Sequence, residues 1–117
     1  MIIDKTKPIY IQLADDIMDA ILDKKIVEDD RILSVRDLAA KYEININTGM
    51  KAIELLNRNN IIYNKRGMGY FVSKGAFEKI KKVRKYDFFN SVIPNIKKQM
   101  QQLNITTQQL IEHLNKK

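Results

Sequence analysis

The sequence predicts a mainly α-helical chain with one small β-hairpin, and two kinds of segment support this. Two helix starts follow one another closely, at Ser34 and Asn45, and serine and asparagine are favoured at helix N-termini. Two strand-like runs, Ile61–Tyr63 and Tyr70–Val72, flank a basic loop with two glycines. Two short helices followed by a basic hairpin are typical of a winged helix-turn-helix.

Length and composition limit the chain to one domain, or to one small domain with an appendage. The 117 residues are 44% hydrophobic and 30% charged, the composition of a soluble globular protein. No apolar run approaches the roughly 18 residues that a membrane span needs, so no membrane partner is expected. Met1–Ile3 is followed at once by Asp4, which predicts no signal peptide and a cytoplasmic protein.

Several kinds of chemistry are excluded by residue content. The chain has no cysteine and a single histidine, His113, so disulfides and thiolate metal sites are impossible. One histidine near a basic C-terminus predicts a solvent-facing side chain rather than a metal ligand. No glycine-rich phosphate loop or serine nucleophile motif is present. We therefore expect no catalytic residue, metal or cofactor, and a protein that is not an enzyme.

The net charge of +7 is unevenly distributed. Residues 1–32 hold five basic and eight acidic side chains, a net charge of −3, whereas residues 33–75 carry +4 and residues 76–117 carry +6. The acidic part should face away from a polyanion, and the remainder should attract one. Many soluble proteins are basic, so this asymmetry adds only modest support for a nucleic-acid partner.

The first two predicted helices differ in their expected roles, because only the second carries groups suited to bind phosphate. The first, from about Pro8 to Asp23, is acidic on its exposed side and should support the core rather than contact DNA. The second begins at Ser34, whose hydroxyl can cap the helix while Asp37 caps in return. Arg36 lies in the first turn, where the helix dipole does not favour a cation, and a bound phosphate would stabilise it there.

The third predicted helix runs from a cap at Asn45 to about Asn59 and has two distinct faces. Small and apolar side chains share the buried face: Gly49, Ala52, Ile53 and Leu56. The other face carries Asn47, Met50, Lys51 and Glu54. Asparagine can bind adenine, lysine can reach guanine or phosphate, and methionine can contact a thymine methyl. A solvated helix face would carry similar residues, so this helix alone does not decide between the two interpretations.

The basic hairpin favours DNA binding. Lys65 and Arg66 place positive charge in its loop, while Gly67 and Gly69 permit positive φ and a close backbone approach. Such a loop can lie along a phosphate backbone or reach into a minor groove. A plain hairpin with a polar turn is the alternative.

In its order of motifs the chain resembles the GntR family of bacterial transcription regulators, in particular the short YtrA-like branch. The matching segments are Pro8–Leu13, Leu33–Ala39, Asn45–Thr48 and Arg66–Val72. The resemblance implies a homodimer that binds a palindromic operator on double-stranded DNA, often as a repressor of genes for ATP-driven transporters. Residue chemistry and the family motif together select these DNA contacts: Ser34, Arg36, Asn45, Asn47, Thr48, Met50, Lys51, Lys65, Arg66, Gly67 and Gly69.

The chain departs from the family pattern at four positions. Leu33 and Ile46 stand where the family favours proline, and Met50 replaces a small polar residue. Gly49 replaces a β-branched residue on the buried side, which should cost roughly 1 kcal/mol of helix propensity and loosen the core. These changes leave the fold in place but can alter operator preference.

Residues 1–75 are predicted to form the winged domain and residues 76–117 a helical dimerisation tail. Pro94 should kink or restart a helix in this tail, and Thr106 or Thr107 should cap a last short one. The apolar side chains have too little partner surface within the tail, which favours pairing with a second copy over folding back on the first helix. The expected interface residues are Phe88, Phe89, Val92, Ile96, Met100 and Leu103.

Two other functions stay open at this point. A winged helix can act as a protein–protein adaptor without specific DNA binding, or can coat DNA without regard to sequence. Steep salt dependence of DNA affinity would argue against the adaptor. The sequence does not indicate the operator, the target genes, an effector, or activation as opposed to repression.

Overall fold

The computed structural model describes residues 5–117, so the signal-peptide prediction for Met1–Asp4 lies outside the described residues. The fold is mainly helical with one antiparallel hairpin, as predicted. The elements are α1 (Ile9–Leu22), α2 (Val35–Tyr42), α3 (Ile46–Arg58), β1 (Ile62–Lys65), β2 (Gly69–Val72), α4 (Ala76–Asp87), a π-helical segment (Phe88–Val92), α5 (Ile93–Leu103) and α6 (Thr107–Leu114).

The chain divides into two compact units, one ending at Lys81 and the other formed by residues 82–117. The first unit extends beyond the boundary expected after Gly75. The reason is that Ala76 and Ile80, on the first turns of α4, are buried in its core.

The core of the first unit is built where α3 packs against both α1 and α2. The predicted buried face of α3 is confirmed, since Gly49, Ala52, Ile53 and Leu56 are all buried. The inner side of α1 is buried at Leu13, Ile17 and Ile21. The inner side of α2 is buried at Leu38 and Ala39. These helices therefore have little freedom to rotate about their axes, because rotation would expose apolar surface to water.

A hydrogen bond joins the C-terminal end of α2 to α1. The Tyr42 hydroxyl donates to the Asp16 carboxylate at 3.0 Å. Partial burial, together with this bond, raises the pKa of the Tyr42 hydroxyl. The tyrosine thus stays neutral and keeps its donor proton over the physiological pH range.

The start of α2 is capped on one side only. Ser34 Oγ accepts the backbone N–H of Asp37 at 3.1 Å. The reciprocal bond predicted from the Asp37 side chain is wrong, since no such bond occurs among residues 5–117. Aspartate is one methylene shorter than the glutamate of a full capping box, and its carboxylate reaches less far back.

The β-hairpin gains a third extended segment from the connection between α1 and α2. Ile32 N–H donates to the Tyr70 carbonyl, and Val72 N–H donates to the Asp30 carbonyl, both at 2.9 Å. An isolated antiparallel bridge pairs Arg31 with Phe71. The wing is therefore a two-stranded hairpin with a short extended segment bridged along β2.

The second unit contains the helix discontinuity predicted at Pro94. Ile93 N–H bonds to the Phe88 carbonyl five residues back, and Pro94 follows in the first turn of α5. Proline has no N–H, and its ring crowds the carbonyl four residues earlier. A widened π turn accommodates both effects.

The last helix is capped at Thr106, one of the two predicted positions. Thr106 Oγ1 accepts the Gln109 N–H at 3.1 Å, and Gln109 Oε1 accepts the Thr106 N–H at 2.9 Å. This is a complete capping box, which stabilises a helix of only eight residues.

No helix within residues 5–117 combines the length and the apolar character that crossing a membrane requires.

The buried glycine of α3 generates a stability prediction. A Cβ added to Gly49 would lie 3.4 Å from Val35 Cγ1 and 3.5 Å from the Val35 carbonyl oxygen, which is ordinary van der Waals contact. Gly49→Ala should therefore fit without displacing α2. We expect it to raise the free energy of unfolding by about 1 kcal/mol, because glycine is that much less favourable than alanine inside a helix. Urea denaturation measures the change.

The control is Gly67→Ala. A Cβ at Gly67 meets no atom within 4 Å, but its φ of +78° disfavours an L side chain, so we expect a loss of about 1 kcal/mol. A loss of stability in Gly49→Ala would mean that α2 and α3 approach too closely for a methyl group.

Candidate nucleic-acid interface

The N-terminal end of α3 presents the side chains predicted to contact bases. Asn47, Met50 and Lys51 are exposed and share one face, while Thr48 beside them is half-buried. Asn45 Oδ1 accepts the Asn47 backbone N–H at 2.8 Å. Asn45 therefore caps α3 through its oxygen and keeps its amide N–H groups for an outside acceptor.

Lys51 lies back towards α1 in the free protein. Its Nζ is 5.9 Å from the centre of the Tyr10 ring, near the limit of a cation–π contact. At an exposed site such a contact is worth only about 0.5–1 kcal/mol. The ammonium can therefore leave the ring for a phosphate or a base at little cost.

The start of α2 offers a second set of polar groups. Ser34 and Arg36 are both exposed. The Ser34 oxygen already accepts one bond, and its hydroxyl proton remains free to be donated. A helix N-terminus carries partial positive charge, so these groups together suit a phosphate oxygen.

The wing turn has the backbone that its glycines predict. Met68 N–H bonds to the Lys65 carbonyl at 2.8 Å and closes the turn, with φ of +78° at Gly67 and +106° at Gly69. Lys65, Arg66 and Met68 are exposed around it. The turn is thus narrow and basic, and it also presents the apolar side chain of Met68, which is 55% exposed.

One face of the wing points away from the core, and we call it the outer wing face. Cross-strand partners share a face of the sheet, and the pairs Tyr63–Phe71, Lys65–Gly69 and Arg31–Phe71 place five residues there. The outer wing face comprises Arg31, Tyr63, Lys65, Gly69 and Phe71.

Aromatic contacts make this face rigid. The rings of Tyr63 and Phe71 stack at 5.8 Å with an angle of 26° between them, and Lys65 Nζ lies 5.1 Å from the centre of the Phe71 ring. The Tyr63 hydroxyl donates to Asp29 at 2.7 Å, and that bond raises the Tyr63 pKa. Phe71 is consequently only 9% exposed, although it faces away from the core.

Arg31 is a residue of the wing that reasoning from sequence did not select. The sequence signal was an extended run before Ser34, but nothing in it indicated which strand that run would join. Pairing with β2 brings Arg31 beside Gly69, where a Cβ on the glycine would lie 3.2 Å from Arg31 Nε. The wing therefore has one more cation than its own loop supplies.

The cations of these elements are not neutralised by the protein. In the described part of the chain no carboxylate lies within 4.0 Å of the basic groups on α2, α3 or the wing. The basic groups are Arg31, Arg36, Lys41, Lys51, Arg58, Lys65 and Arg66. Within residues 5–117 there is also no cluster of His, Asp and Glu able to hold a metal ion, and His113 is exposed as predicted.

Comparison with known proteins gives three informative matches. The uncharacterised helix-turn-helix transcriptional regulator YhcF of Bacillus subtilis is 31% identical over 107 residues, which cover 92% of this chain and 87% of YhcF. A GntR family transcriptional regulator from Listeria monocytogenes is 31% identical with a TM-score of 0.77, covering 96% of each chain. A Bacteroides thetaiotaomicron structure, described as a transcriptional regulator of the same family, is 37% identical with a TM-score of 0.72 and covers 90% and 92%.

No protein-family profile matches the chain. The full-length agreement with these regulators nevertheless extends through the helices, the wing and the tail. GntR regulators bind DNA and are not enzymes, and the side chains that suit a polyanion lie on the elements that a winged helix presents to DNA. The chain therefore belongs to the GntR family of transcriptional regulators.

Proposed function

We propose that the protein is a sequence-specific repressor that acts as a homodimer on a palindromic operator. The observation that carries this proposal is the set of unneutralised cations on three neighbouring parts of the winged fold: the start of α2, the outer face of α3 and the wing. Phosphate is the natural partner of such cations, since binding releases the counterions condensed on DNA.

Base recognition is assigned to α3. Asn47, Met50 and Lys51 share its exposed face near the N-terminus, and their chemistry covers adenine, the thymine methyl and guanine. Thr48 and Asn45 lie at the edge of this group. The opposite face of α3 is buried, so only this face is available to enter a major groove.

Phosphate binding is assigned to α2 and the wing. Ser34 and Arg36 at the start of α2 would hold one backbone segment, and Lys65 and Arg66 would hold another with the glycines at positions 67 and 69 allowing close approach. Such contacts set the register of the protein on the duplex without reading sequence.

The homodimer is proposed to form through residues 82–117. None of these residues is buried in the single chain, although many are large and apolar: Phe89 is 63% exposed and Leu103 is 65% exposed. A second copy would remove this surface from water through a symmetric interface. The residues assigned to that interface are Phe88, Phe89, Val92, Ile96, Met100 and Leu103.

The short YtrA-like branch is the proposed place of the protein within its family. A short helical unit, residues 82–117, follows the first unit, and the matched relatives are of similar length. Control of transporter genes follows from that assignment, as does action in the cytoplasm, where bacterial DNA lies. An effector is not identified.

An adaptor function is the second candidate, and the same exposed apolar side chains favour it. They could bind another protein rather than a second copy. Recovery of sheared genomic DNA on the purified protein at physiological salt, followed by sequencing, separates the candidates. Enriched promoters sharing a palindrome support the repressor, and uniform recovery indicates a sequence-indifferent binder. No recovery, even when the experiment is repeated at low salt, favours the adaptor.

Lys51 and Arg66 should have separable effects on DNA affinity. Lys51→Ala should weaken binding to the recovered operator by about 1–3 kcal/mol and reduce discrimination from random duplex. Arg66→Ala should weaken operator and random duplex about equally and reduce the slope of log K against log salt by about 1. Fluorescence anisotropy on both duplexes measures this, and equal losses on both duplexes for both variants would contradict the assignment of base reading to α3.

Phe89→Glu should prevent dimerisation, because a carboxylate would be buried against apolar side chains. Analytical ultracentrifugation should show a monomer, and operator affinity should fall by about 100-fold once the two half-sites bind independently. Gln102→Glu, which adds the same charge at an exposed polar position of α5, is the control and should remain dimeric. A dimeric Phe89→Glu variant would place the interface elsewhere.

A further inference from the structure

We propose that Arg31 is a DNA-binding residue of the wing, and that Arg31 and Lys65 together bind phosphates of one strand along the outer wing face. This inference rests on the proposed function, because it adds a residue to the same DNA interface. It also changes the composition of that interface, since Arg31 comes from the connection between α1 and α2 rather than from the hairpin.

The backbone position of Arg31 is set by strand pairing. Hydrogen bonds on either side of it, from Ile32 N–H to Tyr70 and from Val72 N–H to Asp30, hold this segment along β2 at 2.9 Å. The bridge to Phe71 directs the Arg31 side chain to the outer wing face. The arginine is therefore held on ordered backbone and not on a free loop.

Gly69 leaves room for the Arg31 guanidinium because it has no side chain. Three Arg31 atoms surround the point where a Cβ of residue 69 would lie: Nε at 3.2 Å, Nη2 at 3.5 Å and Cζ at 3.7 Å. The guanidinium thus lies across bare backbone next to the wing turn. Lys65 is the cross-strand partner of Gly69, so both cationic residues lie next to Gly69.

The acidic residues nearest in sequence are occupied by other donors. Asp29 accepts the Tyr63 hydroxyl at 2.7 Å, and Asp30 Oδ2 accepts the Val27 N–H at 2.9 Å. Among the residues that the structure describes, no carboxylate lies within 4.0 Å of Arg31. Although Arg31 directly follows two aspartates in the sequence, its charge and its forked donors remain available to a phosphate.

Preorganisation strengthens the case for a binding role. Lys65 Nζ lies 5.1 Å from the centre of the Phe71 ring, and the Arg31 backbone is bridged to that of Phe71, so both residues are held next to Phe71 on the outer wing face. Holding long side chains near their bound positions lowers the entropy lost when a ligand binds. A duplex lying against the wing would meet two cations already on one face.

The test is the salt dependence of duplex binding by Arg31→Gln, Arg31→Ala and Arg31→Lys. Binding of an operator and of a random duplex is measured by anisotropy across a salt series. Glutamine and alanine should each reduce the slope of log K against log salt by about 1 and weaken both duplexes about tenfold. Lysine keeps the charge and should keep the slope.

Lys41→Ala is the matched control, because it removes one exposed positive charge at the C-terminal end of α2, opposite to the end assigned to phosphate. Its slope should equal that of the unchanged protein. Urea denaturation of each variant identifies any loss of folding, and Arg31→Gln retains most of the side chain that covers the wing.

The outcomes separate this inference from the proposed function. An Arg31→Gln variant with an unchanged slope overturns the inference while a steep slope of the unchanged protein still supports DNA binding. A fall in affinity that tracks lost stability at constant slope also overturns it, since Arg31 would then only support the wing. If the unchanged protein binds no duplex at low salt, both the proposed function and the inference are wrong.

Discussion

Burial of the inner face of α3 is the constraint on which the rest of the structure depends. Ala52 and Ile53 are fully buried and Leu56 nearly so, packed between α1 and α2. At about 25 cal/mol per Å² of apolar surface, turning α3 about its axis would cost several kilocalories per mole. The apolar face therefore determines which side chains point outward, and Asn47 and Lys51 are exposed as a consequence of packing on the other side.

The orientation of the wing also depends on the core, because the inner side of its strands packs there. Its inner face places Ile32, Ile62 and Val72 in the hydrophobic cluster, and strand alternation then directs the neighbouring residues outward. Arg31, Lys65 and Phe71 lie on that outer side. Core packing and alternation thus set both the α3 face that is proposed to read bases and the basic face of the wing.

Electrostatics divide the first unit into two functional parts. Acidic side chains populate α1 and the connection that follows it, and several are engaged by donors of the protein: Asp16 by Tyr42, Asp29 by Tyr63, and Asp30 by a backbone N–H. The cations assigned to DNA have no such partners in the described residues. Carboxylates that are already hydrogen-bonded compete less with phosphate, so the high acid content of residues 1–32 is compatible with DNA binding.

Sequence alone determined the elements of the fold and most of the candidate site. Local signals gave the periodicity of α1 and α3, the caps at Ser34 and Asn45, and the glycines of the wing. They also limited the last cap to Thr106 or Thr107, and the structure selects Thr106. Such signals persist in any tertiary context that buries the same face. One local detail failed for a reason of reach, since the Asp37 side chain is too short to complete its capping box. The structure also places Ala76 and Ile80 of α4 in the core of the first unit.

Only the tertiary structure decided what long-range pairing controls. Three contacts depend on segments that are far apart in the chain. The residues before Ser34 pair with β2, Arg31 lies beside Gly69, and Lys51 lies near the Tyr10 ring. No residue-by-residue pattern specifies such partners, because a short extended run has the same composition whichever strand it joins. Sequence therefore indicated most of the groups that suit a DNA contact, whereas the packing of the core and the pairing of the wing decided which of them share a face.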